Sequence, residues 1–309
     1  MKISSVSECR LRASLRSPGI WFPIGPFVVH LQSSIPSVAP NIRLLYAESP
    51  LLPDHDFADF HVAIESPRGL RRWVKPQVNF SFDGYVPFKP LPADQAYPLF
   101  EWGMNWCVGN FAHHYQLVHA AVVEREGHAV ILPAPPGSGK STLCAALINR
   151  GWRLLSDELA LVSPATLELT PIPRPVSLKN DSIRVIREYV SDACFGPIVR
   201  DTSKGTVSHL RAPDSSMRDS ALAATPAWII FPRYLPGAPA VLAPRPKGRS
   251  LMEIAEQSFN YNILGAEGFD TLKRLIDSCA CYDFSYSSLD EAIEVFSGLQ
   301  TSVTRAAAV

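Results

Sequence analysis

What these 309 residues lack narrows the field first. No apolar run approaches the ~18 residues of a membrane span, so the chain is not expected to cross a bilayer. Neither sign of charge is in excess. The 29 basic residues balance 29 acidic ones, which argues against a nucleic-acid footprint and against docking on an anionic membrane. Residues 1–17 have no continuous apolar centre of the kind a secretion signal carries. The six cysteines contain no C-x-x-C pair: Cys279 and Cys281 are one residue apart, and Cys9, Cys107, Cys144 and Cys194 are scattered. Reduced, mostly buried thiols in the cytoplasm are the expectation. No internal repeat is visible.

What is present suggests a folded α/β chain. An apolar share of 47% can fill a substantial core, and 19% charged residues is too few for a disordered chain. The 28 prolines call for many turns, strand edges and extended connectors. The length fits one large domain or two smaller ones. Residues 1–115 mix short apolar runs (GIWFPIGPFVVHLQS, FADFHVAIES, VNFSFDGYVPF) with turn residues, as strands of a mixed α/β section would. A helix within residues 94–115 closes that section, with Pro98 near its first turn. Next, LVHAAVV and AVILPA flank EREGH, which suits a hairpin. WRLLSDELALV reads as the following strand, SIRVIREYV as a helix start, and AWIIF and CYDFSYS as later strands. Residues 201–220, DTSKGTVSHLRAPDSSMRDS, are expected to form a polar surface loop. In SLDEAIEVFSGLQ, Ser288 and Glu291 are spaced as a helix capping box. Residues 301–309 should be a frayed tail.

The densest chemical signal is APPGSGKSTLCAALINRG, residues 134–151. In a Walker A loop, backbone N–H groups wrap phosphate oxygens, a lysine reaches the terminal phosphates and a hydroxyl ligates Mg²⁺. That logic puts Pro136, Gly137, Ser138, Gly139, Lys140, Ser141 and Thr142 around ATP, with Mg²⁺ on Ser141. The helix over residues 141–150 would aim its positive end at the same anion and bury Leu143, Ala146 and Leu147. Where the usual pattern begins with glycine this chain has Ala134, and Pro135 and Pro136 could stiffen the turn instead.

Asp157 and Glu158 follow Lys140 by 17 and 18 residues, at the end of a short strand. Open α/β sheets keep their ligands at such strand ends. One carboxylate could hold Mg²⁺ and the other accept a proton from an attacking hydroxyl. Spacing does not choose between them. His119 lies 21 residues before Lys140 and would reach the site if its strand neighbours that of the loop. His113 and His114, taken with Cys107, match no closed metal-ligand spacing.

The stretch VHAAVV…AVILPAPPGSGKSTLCAALINRGWRLLSDELALV resembles the catalytic core of HPr kinase/phosphorylase, whose fold is related to phosphoenolpyruvate carboxykinase. The spacings of histidine, lysine and acidic pair agree over residues 119–163, and the chain is most similar to the branch called HprK-related kinase A. The resemblance implies an α/β P-loop kinase domain over 116–300, behind an N-terminal section, 1–115, of different sequence and unknown role. It implies transfer of the γ-phosphate of ATP to a hydroxyl, serine in that family, on a small protein or peptide. Lys140 and Ser141 would bind phosphate and Mg²⁺, His119 would stand in the active site, and Asp157 would join Ser141 on the metal. The family's proton acceptor falls at Glu158, one methylene longer than the family's aspartate, so Asp157 and Glu158 could exchange roles. A PqqD-like peptide-binding partner and self-association are further implications.

Three departures stand out. The family's later metal-binding glutamate has no counterpart in TPIPRPVSLKN, which offers Arg174 and Lys179 but no acid. Its catalytic arginine has only Arg233 as a candidate. Its basic loop is similar to APRPKGRSLMEIAEQSFNYN but altered, leaving Lys247 and Arg249 as phosphate contacts, with Arg249 placed in the catalytic set. This favours kinase over phosphorylase activity. A small-molecule kinase and a nucleotide-binding regulator without transfer chemistry are the alternatives.

Overall fold

The computed structural model describes residues 1–53, 57–135 and 137–299. They divide into two compact units between which the chain passes repeatedly. One unit holds Met1–Phe111, Arg174–Arg184 and Asp192–Arg218; the other holds Ala112–Pro173, Val185–Ser191 and the chain from Asp219 on. A division into 1–115 and 116–300 therefore does not describe the molecule, because two later segments complete the first unit. The tail expected over 301–309 lies outside the described residues.

In the first unit, α1 (Glu8–Arg16) precedes β1 (Ile20–Ile24) and β2 (Phe27–Ser33), an antiparallel hairpin turning at Gly25. After α2 (Val38–Leu45), β3 (Phe60–Glu65) pairs parallel to β2, and β4 (Gln77–Phe82) and β5 (Leu91–Pro92) complete a five-stranded sheet in that order. The period-two alternation of β2 and β3 buries Val29, Leu31, Phe60, Val62 and Ile64 on one face. Then α3 (Ala96–Phe111) follows, with Pro98 in its first turn, where no backbone donor is needed.

In the second unit, β6 (Gln116–Arg125) and β7 (His128–Pro133) form the expected hairpin. Glu126 and Gly127 both have positive φ, 54° and 83°, as the tight two-residue turn requires. The glycine-rich loop leads into α4 (Lys140–Ile148). What reads in sequence as one strand is two, β8 (Arg153–Ser156) and β9 (Leu159–Val162), both antiparallel to β6 and separated at Asp157 and Glu158. β10 (Leu169–Thr170) borders β9.

The chain then returns to the first unit as β11 (Val176–Lys179), α5 (Asp181–Tyr189), β12 (Val199–Thr202), β13 (Gly205–Leu210) and α6 (Asp214–Arg218). The unit boundaries cut α5, and the three strands form an antiparallel sheet in the order β11-β13-β12. Residues 201–220 are thus a hairpin strand and a helical turn, not a surface loop. Their polarity misleads because part of it, Ser208 and His209 included, is buried. Buried Ser208 donates to Gly196 O at 2.9 Å, and buried His209 packs edge-on against the Tyr97 ring.

The rest of the chain, in the second unit, runs β14 (Thr225–Tyr234), β15 (Val241–Pro244), α7 (Lys247–Glu256), α8 (Tyr261–Leu264), α9 (Ala266–Ser278), β16 (Ala280–Tyr286) and α10 (Leu289–Ser297). The sheet order is β10-β9-β6-β7-β14-β16-β15, with β7, β14 and β16 mutually parallel. On one face Ile254, Leu272, Leu275 and Ile276 of α7 and α9 pack on Val118, Val122, Ile131 and Ile229. On the other, α10 sets Phe296 against Phe284 and against Trp152, just past α4. Strands covered on both faces read as continuous apolar runs, which is why β7 and β14 do. Among the described residues no helix is long and apolar enough to cross a membrane.

Candidate functional site

The parallel strands β7, β14 and β16 all end at one sheet edge, and the glycine-rich loop leaves β7 there. Gly137 and Gly139 have φ of 87° and 89°, left-handed values that favour glycine. The turn closes where Ser138 N donates to Pro135 O at 3.3 Å. Beneath it, Tyr234 N at the end of β14 donates to Ser138 O at 2.9 Å, and the Tyr286 hydroxyl at the end of β16 donates to Gly139 O at 3.0 Å. A Cβ on Gly139 would meet the Tyr286 oxygen at 2.5 Å and Tyr234 Cβ at 3.0 Å. A Cβ on Gly137 would meet nothing within 4 Å, so the loop is open on that side. Ser138 Oγ is buried and has no hydrogen-bond partner among the described residues. Burial raises the Tyr286 phenol well above its ordinary pKa, so it remains a donor.

Lys140 begins α4 and is buried, 8% exposed, with its Nζ 3.1 Å from His119 Nε2. An ammonium group only donates, so His119 Nε2 accepts while Lys140 is charged. His119 reaches this position because β6 outruns β7. The β6–β7 pairing starts at Ala120, and below it residues 257–259 take over the vacated side of β6. His119 N donates to Gln257 O at 2.8 Å, and Phe259 N to Leu117 O at 3.0 Å. Fully buried Asn260 locks the arrangement, accepting from Leu117 N at 2.9 Å and donating to Tyr115 O at 2.7 Å. The Phe259 ring lies 5.9 Å from that of His119.

Ser141 Oγ donates to Asp157 Oδ2 at 3.4 Å. Asp157 is buried in the break between β8 and β9, and Glu158 beside it is partly exposed. A hydroxyl and a carboxylate side by side are hard oxygen donors suited to Mg²⁺. Behind them Cys144 has its thiol pKa raised, by burial first and by the charge of Asp157 second. Thr142 is half-buried in the first turn of α4, and Pro136 lies outside the described residues.

The structure gathers His119, Lys140, Ser141 and Asp157, with Glu158 adjacent, and leaves Arg249 out. The strand β15 carries the chain back across the sheet before α7 begins. Pro244 pairs with Tyr282, four residues before Tyr286, which at about 3.3 Å per residue is roughly 13 Å from the loop edge. There Lys247 donates to Asp277 O at 2.6 Å, and Arg249 is exposed at the edge away from the loop. The buried arginine of that turn is Arg245, which pairs with Asp283 and Glu253 and lies 3.9 Å over the Phe231 ring. Arg233 is exposed near the end of β14. Arg174 and Lys179 belong to the other unit, where Arg174 faces Glu101. Sequence reasoning missed Tyr234, Tyr286 and 257–259. The tyrosines carried a usable signal, since each ends an apolar strand.

No family model matches the chain, and no curated protein matches it. Among solved structures it is similar to the Hpr(Ser) kinase/phosphatase from Coxiella burnetii, at 13% identity and a TM-score of 0.27, over 59% of this chain and 95% of that one. A likeness of that degree carries no functional weight, and the geometry at the loop must supply it.

Proposed function

We propose that the second unit is an ATP-dependent phosphotransferase that acts on a hydroxyl, serine in the first instance, of a small protein or peptide. One observation carries the reading. Left-handed Gly137 and Gly139, the buried Lys140–His119 pair and the Ser141–Asp157 contact converge on one sheet edge.

The loop N–H groups, Lys140 and the positive end of α4 bind a polyphosphate, and the Ser138 hydroxyl, unpartnered among the described residues, and the open side of Gly137 suit such an anion. Ser141 and Asp157 would hold Mg²⁺. ATP supplies the transferable phosphoryl group, and Mg²⁺ neutralises charge on its oxygens. His119 orients the Lys140 ammonium. Glu158, partly exposed beside Asp157, receives the proton of the acceptor hydroxyl; in the reverse assignment Asp157 is the base and Glu158 serves the metal. The acceptor class rests on the resemblance of residues 119–163. A second reading, a nucleotide-binding regulator without transfer, is favoured by the position of Arg249, which leaves the described site without the expected cation.

Lys140→Ala should abolish calorimetric binding of Mg·ATP while circular dichroism stays native. An affinity within about twofold of wild type would remove the nucleotide site. Asp157→Asn and Glu158→Gln should retain nucleotide and lose ~10²–10⁴-fold in transfer from labelled ATP to peptide acceptors. Wild-type rates in both variants would leave the regulator reading standing.

A further inference from the structure

The roles above occupy one flank of the glycine-rich loop, that of β6, β8 and β9, where His119, Asp157 and Glu158 stand. On the other flank β14 and β16 run parallel to β7 and end in Tyr234 and Tyr286. The two tyrosines differ. Tyr286 is 1% exposed, with its hydroxyl committed to Gly139 O. Tyr234 is 48% exposed although its backbone N–H is tied to Ser138 O at 2.9 Å. Its Cβ would lie 3.0 Å from a Cβ at Gly139, so the side chain leaves the backbone directly beside the loop. The Tyr286 ring meets it edge-on at 5.8 Å between centroids, bracing one part of the ring while the rest faces solvent. An open aromatic ring whose backbone is pinned to an anion-binding turn is pre-organised at little entropic cost, having only two side-chain torsions.

A nucleotide lying along this loop has two unlike ends. Its terminal phosphate must face the groups that handle the acceptor proton, on the β6 flank. Its nucleoside therefore leaves towards β14. We propose that Tyr234 is the platform on which the nucleobase of the bound nucleotide stacks, an inference that rests on the nucleotide reading above and names where the base goes. The ligand class for this subsite is a flat aromatic base, and the recognition is by the ring face, not by the phenol.

The test uses the full chain and two probes, Mg·ATP and Mg·tripolyphosphate, which shares the phosphates and lacks the base. Calorimetric affinities are measured for wild type, Tyr234→Ala, Tyr234→Phe and Lys140→Ala. Loss of one base-stacking aromatic should weaken ATP roughly 5- to 150-fold. Tyr234→Ala should show that loss for ATP and leave tripolyphosphate within about twofold, while Tyr234→Phe should bind both as wild type does. Equal weakening of both ligands by Tyr234→Ala would mean that the ring merely supports the loop, and would overturn the proposal. So would an unchanged ATP affinity in Tyr234→Ala, or a wild type that binds ATP no better than tripolyphosphate. Failure of the underlying reading looks different: Lys140→Ala would leave both ligands bound as in wild type.

Discussion

A side chain at Gly139 would meet a left-handed backbone, the Tyr286 hydroxyl at 2.5 Å and, less closely, Tyr234 Cβ at 3.0 Å. The first costs an L-residue about 1–2 kcal/mol. The second is a steric cost that Tyr286→Phe would relieve, at the expense of the hydrogen bond to Gly139 O, worth about 1 kcal/mol. Gly139→Ala and Tyr286→Phe should therefore each destabilise. The double variant should be more stable than the sum of the two losses predicts, by more than the ~0.5 kcal/mol scatter of independent sites. Urea unfolding of the four proteins reads this directly, and additive losses would mean that the two residues do not touch. The cysteines offer a second check at this scale. Burial pushes the Cys107 and Cys279 thiols up to about 12 and also raises those of Cys144 and Cys281. A raised pKa keeps the thiol protonated at pH 8, and the thiolate is the nucleophile. Native protein at pH 8 should be alkylated quickly at exposed Cys9, slowly at Cys194, and at the other four only after denaturation, as mass spectrometry would show.

Among the elements, α3 contains two glycines with opposite expectations. Alanine is the better helix former by about 0.8–1 kcal/mol. At Gly109 a Cβ would meet nothing within 4 Å, so Gly109→Ala should stabilise by roughly that amount. At Gly103 a Cβ would run into the Phe80 ring of β4, and overpacking of this kind costs about 1–3 kcal/mol. Gly103→Ala should therefore be net destabilising, and thermal melts with shifts of opposite sign for the two variants would confirm the packing of α3 on β4. At α10, Ser288 accepts from Glu291 N at 3.4 Å as the capping pattern foretells, but the Glu291 carboxylate accepts from Ala240 N at 3.1 Å instead of closing the box. Spacing in sequence identified the cap. It could not reveal that a loop from β14 would compete for the glutamate.

For the whole molecule, the allocation of 174–184 and 192–218 to the first unit has a direct consequence. Buried Glu101 on α3 accepts from Tyr46 at 3.0 Å and from Tyr97 at 2.6 Å, and it faces the Arg174 guanidinium at 3.8 Å. Burial, and then the charge of Glu101, raises both phenols well above their ordinary pKa. Arg174 arrives only with the later segment, as does His209 against Tyr97. Removing one partner of a buried ion pair costs ~3–5 kcal/mol, a large part of the ~5–15 kcal/mol that holds a domain together. A fragment of residues 1–111 should consequently lack near-ultraviolet circular dichroism and cooperative unfolding. A sharp two-state melt from that fragment would show that the later segments are dispensable.

Local sterics and burial period decide structure within a few residues, and there the sequence by itself was sufficient. The Glu126–Gly127 turn between β6 and β7, the helix after the glycine-rich loop, the apolar strands β14 and β16, and the Ser288 cap were all legible from residue type and spacing. So was the candidacy of His119, Lys140, Ser141, Asp157 and Glu158, because loop chemistry and strand ends leave few places for such groups. Strand order was not legible, since pairing between strands far apart in sequence depends on which apolar faces find one another. Only the tertiary structure set β14 and β16 beside β7, bringing Tyr234 and Tyr286 beneath the loop. It also sent β15 back across the sheet, which took Arg249 to the far edge, and it returned 174–218 in large part to the first unit. A polar run such as 201–220 can be a surface loop or a strand that buries part of its polar side chains, as Ser208 and His209 are buried here. The partners that distinguish the two, Gly196 O and the Tyr97 ring, are assembled only on folding.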